Sequence, residues 1–172
     1  MSFTNNTQDG KFAFIKGDQF YLRNDQGSTE LKGKKYDTFK NFTGYLEGIQ
    51  RKVNGDIVNI HLQFKSEDLE PVTISFSQKS GYWRSFSRTF KNIELDQAVT
   101  ISPYVDDQER TVLFIFQNGE TLKRFYTKET PHDLPQPTTV MFEGKEMLDF
   151  AEQDDFLFTR IESTLKGAKL PF

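Results

Sequence analysis

Between Phe42 and Tyr126 the sequence changes period twice, and this succession of elements constrains the fold more than any other feature of the chain. Phe42 to Val53 reads as a long strand interrupted by Gly44 and Gly48. Glycines inside a strand point to a bulge or a sharp coil. Asn54-Gly55 signals a two-residue hairpin turn. In the next strand Val58, Ile60, Leu62 and Phe64 share one face, and Asn59, His61 and Gln63 the other. Val72, Ile74 and Phe76 then alternate with Thr73, Ser75 and Ser77. From Ser80 to Ile93 the period lengthens: Trp83, Phe86, Phe90 and Ile93 recur three or four apart, which predicts a helix. Val99 and Ile101 mark another strand, and Arg110–Gln117 and Glu120–Tyr126 flank a second hairpin turn at Asn118-Gly119. Strand–strand–strand–helix–strands in one small domain predicts a mainly β fold. The expected form is a Greek-key barrel of five to six strands with one capping helix, its first strand coiled enough to join both sheets.

The flanks add to this body. Lys11–Arg23 predicts a hairpin about Lys16-Gly17-Asp18, and Leu31–Tyr36 is a basic run ending in an aromatic. Pro131, Pro135 and Pro137 mark a linker. Beyond it, Gly144–Ala151 and Asp155–Leu165 read as short helices, with Asp155 as the N-cap of the second. The expected organisation is a barrel domain with its N-terminal hairpin over residues 1–130 and a partly helical acidic tail over 131–172. After Pro131 eight acids face four bases, a local charge of −4; the chain total of −3 leaves +1 for residues 1–130. A near-neutral body with an acidic tail differs from a uniformly acidic protein. The chain has no Cys, hence no disulfide framework and no thiolate metal site. No stretch approaches the roughly 20 apolar residues of a membrane span, and Met1–Asn6 lacks the basic-then-apolar pattern of a signal peptide. These features lead us to expect a cytoplasmic protein with no membrane partner.

Catalytic motifs are missing from the pattern. There is no phosphate-cradling glycine loop, nucleophile elbow or H-E-x-x-H. His61 and His132 lie in different segments with no ligand spacing around them. Asp106-Asp107 and Asp154-Asp155 have the character of solvated turn acids. The sequence therefore predicts a binding protein rather than an enzyme, with no cofactor and no metal. The 18 Phe, 6 Tyr and single Trp either fill a core or supply stacking surfaces. Lys32, Lys34 and Lys35 run into Tyr36, with Lys40 beyond, and charge interleaved with rings is the composition of a single-strand binder. The alternative for this run is a solvated basic loop. The small polar face carrying His61 would form a shallow groove. Its rims supply Tyr45, Arg51, Lys52, Tyr82, Arg84 and Arg88, and Lys123-Arg124 beside Tyr126 adds a further candidate. Trp83 reads as core by its spacing with Phe86 and Phe90.

The predicted element order is that of the oligonucleotide/oligosaccharide-binding (OB) architecture. With the acidic tail and the ending Leu170-Pro171-Phe172, the chain resembles phage and bacterial single-stranded-DNA-binding proteins. Lys166 and Lys169 stand where that family carries acids, and the acidic stretch lies further back. The resemblance implies sequence-tolerant binding of single-stranded DNA in replication or recombination, in a phage or mobile element and hence in the host cytoplasm. It also implies contacts with replication or recombination proteins through Leu170, Pro171 and Phe172, and it leaves room for a homo-oligomer. Two other readings stand beside it: a β-rich structural protein of a virion, and a carbohydrate-binding β-domain.

Overall fold

A computed structural model describes residues 10–168 and Pro171. Its first seven strands are β1 (Lys11–Lys16), β2 (Gln19–Arg23), β3 (Thr29–Leu31), β4 (Lys34–Phe39), β5 (Phe42–Asn54), β6 (Ile57–Ser66) and β7 (Pro71–Ser77). Helix α1 (Gly81–Thr89) follows and continues into a 3-10 turn at Phe90–Asn92. Then come β8 (Val99–Val105), β9 (Thr111–Gln117), β10 (Glu120–Thr121), β11 (Thr138–Phe142), β12 (Lys145–Asp149) and helix α2 (Ala151–Gly167). The order across the large sheet is β10-β9-β8-β5-β6-β7-β1-β2-β4-β3, while β11 and β12 pair only with each other.

The meander β5–β6–β7, the helix after it and the return of β8 to pair with β5 follow the predicted succession. The expected bulge is present, with the β5–β6 register shifting between Leu46 and Gly48. The closed barrel of five to six strands is not. The sheet has ten strands and two free edges, β10 and β3. The cause is β1, which pairs in parallel with β7, Phe14 opposite Ser75, and brings β2, β4 and β3 into the sheet behind it. The sheet still curls, and Ser102 on β8 donates a hydrogen bond to the carbonyl of Lys40, just after β4.

The concave face holds the core. Ile60, Leu62 and Phe64 of β6 are 0–1 % exposed and pack with Leu46, Ile74, Ile101 and Ile115 from neighbouring strands. Helix α1 lays Tyr82, Trp83 and Phe86 into this core. Ser80 caps it, its hydroxyl accepting from the Trp83 amide. The helix starts against β9 so closely that a Cβ on Gly81 would lie 1.7 Å from the Thr111 carbonyl oxygen. Only glycine fits there.

The C-terminal segment departs from expectation in two ways. Gly144–Ala151 is not a helix. Lys145–Asp149 is a strand, paired with Thr138–Phe142 across a Glu143-Gly144 turn in which both residues have positive φ. The final helix begins at Ala151, so Asp155 lies inside it rather than at its N-cap. Leu157, Phe158, Ile161 and Leu165 of α2 are buried in the same core as the strands. The segment after Pro131 therefore completes the core, in addition to carrying the acidic charge.

Candidate nucleic-acid interface

The convex face of the sheet carries exposed and half-buried rings. Strand alternation aims Phe12 and Phe14 of β1 away from the core, opposite to Ala13 and Ile15. Register then sets their neighbours. Phe14 lies opposite Tyr21 on β2, and Ser75 lies between Phe14 and His61 on β6. Phe14 and Tyr21 stack with centroids 5.2 Å apart and planes at 7°. Tyr36 of β4 meets both edge-on, at 5.4 and 5.8 Å. Across the low floor formed by Thr73 and Ser75, His61 meets Phe12 edge-on at 5.4 Å. Thr73, Ser75 and Ser77 are too small to rise above this floor, so the rings border a shallow trough.

Cations surround the rings. Lys16 and Lys34 share the outward face with Phe14 and Tyr36 by strand alternation. With Lys32, Leu31 and Ile15 they line a groove of about 410 Å³. Lys52 lies near enough to His61 to disfavour its protonation. Burial is the larger cause, and together they hold the imidazole below its ordinary value of 6.5. His61 is thus a neutral ring at pH 7. The outward positions of β6, β7, β1, β2 and β4 carry no acid. Phe12 is 48 % exposed, unusual for a phenylalanine whose strand neighbours Ala13 and Ile15 are buried.

The residues singled out by sequence divide into several places. Lys32, Lys34, Tyr36, Lys52 and His61 belong to this face. Tyr45 is half-buried on the same side of β5, opposite Lys65. Lys35 alternates to the other side of β4 from Tyr36. Arg51 points under the sheet, where it pairs with Asp155 of α2 at 2.7 Å and lies 4.5 Å from the Phe158 ring centroid. Tyr82 is core: its hydroxyl donates to the Gly17 carbonyl and burial pushes it up to about 12. Tyr126 is 2 % exposed and also core. Arg84, Arg88 and Arg124 gather around α1, away from the rings. Lys123 is exposed after β10, its carbonyl accepting from Asn92. Trp83 is buried, as its spacing indicated, with its indole N–H on Asp154 at 2.9 Å. Pro171 is exposed, and Leu170 and Phe172 lie outside the described residues.

Sequence reasoning missed Phe12, Phe14, Lys16 and Tyr21. Their signal was present in Lys11–Lys16, where two phenylalanines alternate with Ala13 and Ile15, so that a strand must turn one set outward. Among the described residues no three His, Asp or Glu side chains converge to hold a metal ion. Likewise no described helix is long and apolar enough to cross a membrane. No protein-family model, curated protein or solved structure matches the chain.

Proposed function

We propose that the chain binds single-stranded DNA without strong sequence preference on the convex face of β6, β7, β1, β2 and β4. The observation that carries this reading is the cluster of half-buried Phe14, Tyr21 and Tyr36 beside exposed Phe12 and half-buried His61, on a sheet face whose outward positions on these strands carry no acid, flanked by Lys16, Lys34 and Lys52. Unpaired bases offer flat π-faces to such rings, and lysines at the rim neutralise the phosphates between them. Duplex DNA keeps its bases stacked and offers little to this surface. The succession β5–β6–β7–α1–β8–β9, with β8 returning to β5, supports reading the body as an open, OB-like variant widened by β1–β4. Replication or recombination is the context in which a sequence-tolerant strand binder is useful.

The test is fluorescence anisotropy of labelled oligo-dT across a salt series. Wild type binds, and affinity falls as salt rises because condensed counterions are released. Duplex of the same length binds more weakly. Tyr21→Ala weakens oligo-dT binding, whereas Lys123→Gln, away from the ring face, leaves it unchanged. A sugar-binding face would show no such salt dependence.

A further inference from the structure

A second basic site lies around α1. Arg84 and Arg88, one turn apart, meet Arg124 from the segment after β10, and the three line one cavity of about 390 Å³. A neighbouring cavity of about 300 Å³ shares Arg84, Arg88 and Phe150 with it and reaches Trp83. Each guanidinium is held in place by a neutral group. Arg84 lies over the Phe150 ring at 4.8 Å, Arg88 donates to Gln153 at 2.8 Å, and Arg124 donates to the Ser85 hydroxyl at 3.4 Å. None of the three forms an ion pair among the described residues.

This arrangement is costly without an anion. Arg88 is removed from water and repelled by both neighbours, which pushes its guanidinium down to about 10, still protonated at neutral pH. Asp154, which lines the neighbouring cavity with Asp149, is the acid whose charge acts on Arg88 and, more weakly, on Arg84. Its carboxylate is itself disfavoured by burial and is engaged by the Trp83 indole. Each guanidinium has five N–H donors in a planar fork, and the hydrogen bonds to Gln153 and to the Ser85 and Ser87 hydroxyls use few of them. Three forks offer more donors than the two oxygens of a carboxylate accept. A terminal phosphate, with three charged oxygens, matches both the donor number and the charge.

We propose that the Arg84–Arg88–Arg124 recess is a binding site for a terminal phosphate group, separate from the ring face and independent of the reading given to that face. The phosphate comes either from the 5′ end of a strand or from a small free phosphate compound. Trp83 reports on it, because the indole shares a cavity wall with Arg84 and Arg88 and is hydrogen-bonded to Asp154.

The experiment titrates the full chain with inorganic pyrophosphate at ionic strength matched by sodium chloride, reading Trp83 emission and the melting temperature. The proposal predicts a saturable change in emission and a rise in melting temperature. Both are at least tenfold weaker in affinity for Arg84→Gln with Arg124→Gln, two exposed positions, with an unchanged circular dichroism spectrum. Lys34→Gln, on the ring face, binds pyrophosphate as wild type does, so failure of the strand-binding reading leaves this result intact. Displacement of pyrophosphate by 5′-phosphorylated oligo-dT but not by the unphosphorylated oligomer assigns the phosphate to a strand end. Displacement by neither assigns it to a free compound. No change in emission or melting temperature with millimolar pyrophosphate, or equal affinity in the double variant, overturns the site.

Discussion

His61 combines two roles that its neighbours impose. Packed edge-on against Phe12 and near Lys52, it is kept neutral, by burial first and by the lysine second. A histidine whose folded value is depressed contributes stability that is fully present above the unfolded value and is lost as pH falls through the folded one. Melting temperature should therefore decline between pH 7 and pH 5, and His61→Gln should flatten that part of the profile. An NMR titration of His61 should show its midpoint below 6.5. A midpoint above 6.5 would remove the neutral ring from the site. At the same scale, Phe14→Ala or Tyr21→Ala should weaken oligo-dT binding by about 1–3 kcal/mol for each base that loses its stack. Arg51→Ala should instead leave the salt dependence of binding unchanged and lower the melting temperature, because it breaks the contact with Asp155 and Phe158. Arg51 looked like a rim cation in the sequence because alternation along β5 is offset by the bulge before Gly48; the glycines signal a bulge but not the residue at which the two faces exchange.

Among the elements, α2 and the β11–β12 hairpin behave oppositely. Leu157 on α2 is 1 % exposed, so Leu157→Ala should cost about 2–5 kcal/mol of stability, read by chemical denaturation. Deleting residues 144–172 should unfold the protein rather than release a tethered tail. A truncated chain that melts at the wild-type temperature would show that the helix is dispensable. Every residue of β11 and β12 is exposed, including Met141 at 66 % and Leu148 at 56 %. Met141→Ser with Leu148→Ser should thus shift stability by no more than about 0.5 kcal/mol each. Strands β6 and β7 were legible because their apolar residues alternate about a buried face. Helix α1 was legible because Trp83, Phe86 and Phe90 keep a 3.6-residue period. The β12 strand was not legible: Met147, Leu148 and Ala151 sit at spacings that also suit a helix, and pairing with Thr138–Phe142 decides the matter.

Across the whole molecule, the feature hidden from the sequence is the parallel pairing of β1 with β7. Their registered residues, such as Phe12 with Thr73, lie some sixty positions apart, and no turn chemistry links them. That one contact adds four strands to the sheet and places Phe12, Phe14 and Tyr21 of the predicted hairpin at the centre of a basic surface. The −4 charge of the segment after Pro131 leaves the rest of the chain at +1, so attraction to a phosphate backbone depends on where the lysines sit rather than on net charge. Strand binding on the convex face should leave Trp83 emission unchanged, since the indole is buried beneath the opposite side of the sheet. The most direct measurement of the central claim is the affinity for unphosphorylated oligo-dT as a function of salt, for wild type and for Lys16→Gln with Lys34→Gln. The account predicts binding at low salt that weakens linearly in log–log form, with the slope reduced by about 0.7 for each lysine that neutralises a phosphate. Absence of binding at low salt and micromolar protein, or an identical slope in the double variant, would contradict it.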